Sequence, residues 1–186
     1  DVLVQKSEIT TSENSLFCGG WLLSKIESYD EEYYRKWMHE IPPLKHAMRQ
    51  TTLDLHHNIL PLTNKHNLDS KKLIKHAIKK DFVGDCYILA DTDMVIHSAV
   101  HLFTESEFHS AIRNLSDIDM MLRDFQIKHS ECLNTDFVSD LISRSKELGL
   151  FDYVRLAIRY THLIFKTPLG KTDITQLQCH SRWLGA

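Results

Sequence analysis

The chain has 186 residues, of which 42% are hydrophobic and 25% are charged, and its formal net charge is −3 at pH 7. These values are typical of a globular protein, and they exclude a global electrostatic attraction to nucleic acid or to anionic lipid. No run of the sequence approaches the roughly 18 apolar residues that a membrane-spanning helix needs, so no membrane contact is expected.

Turns should be few, because the chain contains only 6 Gly and 4 Pro. A sandwich of short strands needs a turn about every 8–12 residues, so this composition favours long helices. The 4 cysteines are widely spaced and form no C-x-x-C motif, which indicates reduced thiols and an intracellular protein, cytoplasmic or nuclear. The sequence begins with Asp1 rather than Met, so we expect an excised domain or a processed product.

Residues 1–68 are expected to form an N-terminal segment of about three helices. The first helix includes the Gly19-Gly20 pair, which indicates a close approach of another backbone, and its apolar residues recur at helical spacing. The second, "EEYYRKWMHEI", is expected to begin after Asp30, whose side chain would cap it. The third is predicted from Leu44 to about Leu60, ahead of a proline.

Residues 69–186 show a more regular helical rhythm, which predicts stacked helical hairpins. Three helix-turn-helix units are expected, at 70–103, 105–133 and 135–166. Their spacing resembles that of arrays of about 34 residues such as tetratricopeptide repeats, but the consensus Trp, Gly-Tyr and Pro positions are missing. A last short helix is expected in the tail, with Trp183 covering an exposed end.

The predicted fold class is therefore all-α. The helical hairpins are expected either to stack as a short αα-repeat-like array or to pack as an irregular helical bundle, because both arrangements give nearly the same periodicity. We interpret the two segments as one continuous domain.

The 12 histidines invite a search for a metal site. His97 and His101 stand four residues apart on a predicted helix, a spacing that lets two imidazoles reach one metal ion. Ser98, however, occupies the position where a catalytic zinc helix usually carries Glu. An iron site in the core of a helical bundle needs Glu-x-x-His pairs on several helices; Glu40, His46 and Glu105 could be placed in such a site, but no second paired motif supports them. We predict no metal site and no cofactor.

Two Arg-His pairs carry a resemblance to a family of helical ribonucleases. Arg155 and His162 stand in "RLAIRYTH", and Arg49 and His56 have the same spacing in "RQTTLDLH". The spacing resembles that of HEPN-like ribonucleases, in which an Arg and a His on one helix act on the ribose 2′-hydroxyl and the scissile phosphate. Leu156 departs from the polar residue that this family prefers after the Arg. The resemblance implies a ribonuclease as a less favoured alternative.

Two surfaces are predicted to bind partners. A basic ridge on a predicted helix is suited to an acidic peptide, phosphate or nucleic acid, and a solvated outer face is the alternative interpretation; its lysines are Lys71, Lys72, Lys75 and Lys79. Aromatic side chains crowd a short acidic helix and are typical interface anchors, although they could equally be core residues; they are Tyr33, Tyr34 and Trp37.

Motifs of the common enzyme classes are missing, since the sequence has no G-x-S-x-G, P-loop or G-x-G-x-x-G. We therefore expect a non-enzymatic scaffold domain that binds another protein or subunit within a larger assembly, with no evident small-molecule substrate. The alternatives are a nucleic-acid-associated helical domain that uses the ridge at 71–80, a HEPN-like ribonuclease and a His-ligated metal enzyme.

Overall fold

A computed structural model of the chain describes residues 1–66, 68–82, 84–104, 108–133, 136–170 and 177. The chain divides into two compact units, Asp1–Tyr87 and Ile88–Ala186. This boundary lies later in the chain than the predicted one between residues 68 and 69.

In its described residues, the first unit combines short strands with three helices. Its elements in chain order are β1 (Val2–Leu3), α1 (Ile9–Cys18), β2 (Trp21–Leu23), α2 (Ser28–Trp37), β3 (Leu44–His46), β4 (Thr52–Leu53), β5 (Leu55–His56), α3 (Lys71–His76), β6 (Ile78–Phe82) and β7 (Gly84–Ile88), the last of which ends at the boundary between the units. A 3-10 turn at Lys6–Glu8 precedes α1.

Three small sheets organise these strands. β2, β3 and β4 form an antiparallel sheet in which Trp21 is opposite His46 and Leu44 is opposite Leu53. β1 pairs with β5 in parallel, and β6 pairs with β7. A small core of Ile41, Leu44 and Leu55 lies beneath the first two sheets, and partly buried side chains from α1 and the strands pack against it.

The second unit is helical in its described part. Its helices are α4 (Asp91–Thr104), α5 (Ala111–Lys128), α6 (Phe137–Glu147) and α7 (Phe151–Phe165). Each presents a row of fully buried apolar side chains at helical spacing, including Ile96, Leu122, Leu141 and Ile158. Within the residues described, the helices are too short or too polar for any of them to cross a membrane.

The prediction of an all-α fold is wrong, because the first unit contains strands where helices were expected. The first predicted helix ends at Cys18, since Gly20 adopts a left-handed conformation with a φ of 84° and the chain turns into β2. The predicted helix from Leu44 to Leu60 is replaced by β3, β4 and β5. A helical face would bury Leu44 and Met48 together, but Leu44 is fully buried while Met48 is 87% exposed.

The prediction of repeated hairpins is also wrong. The expected unit at 70–103 contains the short helix α3, the paired strands β6 and β7, and α4. The expected unit at 105–133 holds one long helix, α5, that runs through its predicted turn. The last expected hairpin is present as α6 and α7: Asp136 caps α6 by accepting a hydrogen bond from the Val138 amide (3.1 Å), and Gly149 follows α6 with a φ of 72°. Trp183 lies outside the described residues.

A buried ion pair joins α4 to α6 in the second unit. The Arg144 guanidinium donates to both carboxylate oxygens of Asp93, from Nε at 2.9 Å and from Nη2 at 3.0 Å. Asp93 is completely buried, so its charge depends on this partner. Arg144 also reaches the largely exposed carboxylate of Glu147 at 2.8 Å.

We expect Asp93→Ala to lower the free energy of unfolding by about 3–5 kcal/mol, because it leaves the Arg144 charge without its main buried partner. The matched control Glu147→Ala removes the exposed partner of the same guanidinium and should cost about 1 kcal/mol or less. Chemical denaturation of the two variants measures both values. Equal losses would show that the buried pair has no special role.

Candidate metal centre

Two strand segments bring three potential metal ligands together in the first unit. His39 and Glu40 follow α2, and His56 ends β5. Glu40 and His56 form an antiparallel bridge, which places their side chains on the same side of the paired backbone. The next residue, Ile41, donates its amide to the Leu55 carbonyl (3.1 Å) and points into the core. The pairing therefore separates an apolar side from a side that carries ionisable groups.

The ligand atoms of these three side chains are closely grouped. One nitrogen from each of His39 and His56 and one oxygen of Glu40 all lie within 4.8 Å of one another. Glu40 Oε2 is 3.2 Å from His56 Nε2, and the two imidazole rings have centroids 5.3 Å apart. All three side chains are partly exposed, so solvent and ligands can reach them. Among the described residues, this is the single group of three such side chains with that geometry.

The donor set fits a divalent cation. Two imidazole nitrogens and one carboxylate oxygen are ligands for Zn²⁺, Mn²⁺, Fe²⁺ or Co²⁺, and three protein ligands leave coordination positions open for a substrate. The hard ion Mg²⁺ prefers oxygen ligands and is less suited to the imidazoles. The short Glu40–His56 contact brings a negative oxygen and a ring nitrogen to the distance at which one ion could bind both.

Asp54 adds a second carboxylate near the cluster. It lies two residues before His56, between β4 and β5, and its charge acts on Glu40. Burial raises the pKa of Glu40, and the charge of Asp54 raises it further. Burial also raises the pKa of Tyr34, as do the charges of Glu40, Asp30 and Asp54. This concentration of negative charge favours a bound cation.

An ion pair fixes the helix that leads into the centre. The Arg35 guanidinium on α2 donates two hydrogen bonds to Glu13 on α1, from Nη1 at 3.2 Å and from Nη2 at 2.7 Å. The Glu13 side chain, on α1, is buried. α2 ends at Trp37, two residues before His39. The ion pair between Arg35 and Glu13 therefore helps to position the segment that carries His39 and Glu40.

A pocket of about 390 Å³ in the first unit is lined by residues other than the three of the cluster. His57, which lines it, follows His56 and donates its amide to the His39 carbonyl at 2.8 Å. Burial lowers the pKa of the His57 imidazole, and the positive charge of Lys6, which also lines the pocket, lowers it further. His57 is therefore neutral at pH 7, and Lys6 lies within electrostatic range of its ring.

The predicted aromatic surface adjoins this centre through α2. Tyr33 and Trp37 are exposed by 46% and 44%, whereas Tyr34 is partly buried on the acidic side of the centre. Binding of a partner by these side chains stays a prediction.

The predicted basic ridge has a different shape from the one expected. α3 ends at His76, so Lys71 and Lys75 share a helix, while Lys79 lies on β6. These three lysines and Lys72 are all exposed. Their contribution to binding stays a prediction as well.

The residues considered for other sites are placed elsewhere. His97 and His101 have ring centroids 6.3 Å apart on α4, and no third ligand joins them in the described structure. The buried His46 accepts hydrogen bonds from the amides of Met48 and Arg49 at its Nδ1. Glu105 lies outside the described residues.

The Arg-His pairs also differ from the helical arrangement that they were expected to share. Arg49 lies in a turn and His56 on a strand, so this pair has no common helix. Arg155 and His162 share α7, where Arg155 approaches Asp152 (3.6 Å) and His162 Nδ1 lies 2.8 Å from the Thr167 carbonyl oxygen.

The sequence did hold a signal for the centre. In "TTLDLHH" the β-branched threonines and the alternation of polar and apolar residues at Leu53, Asp54, Leu55 and His56 are typical of a half-buried strand. A strand assignment would have placed Asp54 and His56 on one face. The bridge between His56 and Glu40 joins residues that lie 16 positions apart, and no local sequence pattern specifies that pairing.

Comparison with known proteins decides the family. The model of a family described as "Uncharacterised nucleotidyltransferase" matches residues 1–166. The chain belongs to this family. No match was found among curated proteins or among solved structures.

The family membership corrects the functional predictions. A nucleotidyltransferase family indicates an enzyme that acts on nucleotides, so the prediction of a non-enzymatic scaffold is wrong. The predicted helical-repeat, protein-interaction character is wrong for the same reason and because the first unit is mixed α/β. The sequence contains no Gly-rich phosphate loop, and such loops are among the local motifs that indicate an enzyme acting on nucleotides.

We expect the stability of the protein to depend on pH through His57. Its pKa is lowered in the folded state, so its contribution to stability is complete above its ordinary pKa of 6.5 and is lost as the pH falls below that value, where the unfolded chain takes up the proton first. Between pH 7.5 and pH 5.5 the His57→Gln variant should therefore lose less free energy of unfolding than the wild type. Denaturation curves at both pH values test this. An equal loss in the two proteins would contradict it.

Proposed function

We propose that this chain transfers a nucleotidyl group from a nucleoside triphosphate to an acceptor hydroxyl, and that His39, Glu40 and His56 hold a divalent cation required for the transfer. The membership of a nucleotidyltransferase family supports the reaction class. The grouping of the three ligand atoms within 4.8 Å is the observation that carries the assignment of the site.

The protein contributes to this reaction mainly by positioning the substrates and neutralising their charge, and much less by covalent chemistry. An acceptor oxygen attacks the α-phosphorus, a new P–O bond forms, and the bond from that phosphorus to the oxygen bridging the α- and β-phosphates breaks, so that pyrophosphate leaves. The acceptor hydroxyl loses its proton. A bound divalent cation supplies Lewis-acid polarisation of a phosphoryl oxygen and neutralises charge on the phosphates.

The residues of the centre divide these tasks. Neutral imidazoles of His39 and His56 and the ionised carboxylate of Glu40 supply the ligands. Asp54 is close enough for its charge to act on Glu40, and in this proposal it accepts the proton of the acceptor hydroxyl. Arg35, through Glu13, holds α2 and hence the start of the ligand segment in place.

A nucleic acid is the acceptor class that the surface charges support. Lys71, Lys72, Lys75 and Lys79 are all exposed and concentrate positive charge in the first unit, although the whole chain has a net charge of −3. Exposed lysines bind phosphate backbones without base specificity. In this proposal they orient the acceptor strand.

We expect Glu40→Gln and His56→Gln each to lower both the affinity for Mn²⁺ and the rate of nucleotidyl transfer by at least about 100-fold, since even outer-shell partners of metal ligands contribute about 10–100-fold. Asp54→Asn should retain most of the Mn²⁺ affinity and lose most of the transfer rate. Mn²⁺ electron paramagnetic resonance measures binding, and release of pyrophosphate from each nucleoside triphosphate measures transfer.

The matched control is Glu32→Gln, which neutralises an exposed carboxylate on α2 and should change neither quantity. The proposal fails if Glu40→Gln and His56→Gln bind Mn²⁺ and transfer nucleotides as the wild type does.

Acceptor binding should depend on salt through the exposed lysines. Lys72→Glu combined with Lys75→Glu should weaken binding of single-stranded RNA or DNA and reduce the slope of log affinity against log salt by about 1–2, because each phosphate contact contributes about 0.7–0.9 to that slope. Fluorescence anisotropy at 50–300 mM salt measures the slope. Lys25→Glu combined with Lys45→Glu changes exposed lysines elsewhere and is the control. A slope that is the same in both double variants would argue against a nucleic acid as the acceptor.

A further inference from the structure

Helix α2 carries a stripe of aromatic side chains that the fold leaves exposed. Tyr29, Tyr33 and Trp37 follow one another at intervals of four residues, so they lie along one face of the helix. All three are exposed, and Tyr29 is exposed by 76%. Leu62, whose amide donates to the Trp37 carbonyl at 3.1 Å, adds another exposed apolar residue where α2 ends. Neighbouring exposed apolar side chains are typical of a surface that binds another molecule.

The fold gives α2 little apolar burial. None of its ten residues, Ser28–Trp37, is buried. Isolated helices of this length are only marginally stable in water, and helices in proteins usually gain stability by burying an apolar face. An ion pair between Arg35 and Glu13 holds α2 to α1. A partner that covers the aromatic stripe would therefore supply burial that α2 lacks in the described structure.

Two exposed carboxylates flank the aromatic stripe. With about 3.6 residues per helical turn, Asp30 and Glu32 project to either side of Tyr33. Neither carboxylate forms an ion pair within the described part of the chain, whereas Glu31 is paired with Arg35 at 3.1 Å. The stripe and its two flanking carboxylates form one surface, the acidic aromatic face, which consists of Tyr29, Asp30, Glu32, Tyr33 and Trp37.

A contact within α2 shows that the aromatic rings of this face accept a cation. The Lys36 Nζ lies 5.3 Å from the centroid of the Trp37 ring, within the range of a cation–π interaction. A Lys or Arg side chain of a partner can bind a Tyr or Trp ring in the same way. Because Lys36 is exposed, a partner can displace its ammonium group from the Trp37 ring.

We propose that the acidic aromatic face binds a basic, amphipathic segment of a partner protein. Apolar side chains of that segment pack on the three aromatic rings, and its Lys or Arg side chains pair with Asp30 and Glu32. Nucleic acid and anionic lipid would place negative charge beside the same carboxylates, so charge complementarity favours a basic protein segment. This inference does not depend on the proposed function, because it uses neither the metal ligands nor the reaction class.

The test uses the whole chain and three fluorescent probes: a helical peptide of Leu, Lys and Arg, the same peptide with Glu in place of Lys and Arg, and a single-stranded RNA oligonucleotide. Fluorescence anisotropy should show binding of the basic peptide and none of the acidic one. Tyr29→Ala should weaken binding of the basic peptide by about 5–30-fold, as expected for an interface anchor, and Glu32→Lys by about 3–10-fold. Lys36→Met should tighten it by about 2–5-fold, because this change removes a positive charge and uncovers the Trp37 ring.

Matched controls change exposed residues outside α2. Tyr87→Ala and Asp117→Lys should bind the basic peptide as the wild type does, and circular dichroism checks that every variant is folded.

Three results would overturn the inference. The first is no binding of the basic peptide to the wild type at about 50 mM salt, or equal binding by Tyr29→Ala and Glu32→Lys. The second is RNA binding that is lost in Tyr29→Ala, which would assign the face to a nucleic acid. The third is a dimer in sedimentation velocity that Tyr29→Ala dissociates, which would assign the face to a second copy of the chain.

Discussion

The pairing of residues 40 and 41 with β5 is the constraint on which the candidate centre depends. One backbone contact, between the Ile41 amide and the Leu55 carbonyl, brings two apolar side chains into the core of the first unit. The same register directs Glu40 and His56 to the other side. A shift of one residue would reverse both faces, placing a carboxylate in the core and an isoleucine among the imidazoles. Burial of Ile41 and Leu55 therefore stabilises the register that holds the side chains of Glu40 and His56 close together.

The candidate centre holds negatively charged groups close together, which is unfavourable unless a positive charge is nearby. Burial and Asp54 both oppose ionisation of Glu40, so the ionised carboxylate is in an unfavourable setting. The divalent ion of the proposed function would reverse that balance, because a bound ion is often the largest local charge in a site. The second unit has no comparable group among its described residues: its buried Asp93 has the Arg144 guanidinium as a partner, so its charge is compensated within the protein. The Asp93–Arg144 contact is therefore a structural ion pair, whereas the candidate centre has the geometry of a site that could hold a metal ion.

The sequence predicted the helical second half in part and missed the strands of the first. The hairpin of α6 and α7 was predictable because Asp136 and Gly149 mark local boundaries and the apolar positions between them are regular. Leu44 and Met48 also fit a helical period, and only tertiary pairing decides that Leu44 lies opposite Leu53 on a neighbouring strand. The centre was missed for the same reason, since His39 and His56 meet through that pairing and through no spacing in the sequence. Membership of a nucleotidyltransferase family indicates an enzyme that acts on nucleotides, which no motif in the sequence had pointed to.

The most direct test of the central claim is the location of a cation in crystals of this protein grown with Mn²⁺. Anomalous difference maps recorded at the manganese absorption edge should show a peak within bonding distance of the ring nitrogens of His39 and His56 and of the carboxylate oxygen of Glu40. A peak confined to other carboxylates, or an empty position between these three side chains in fully loaded protein, would contradict the account.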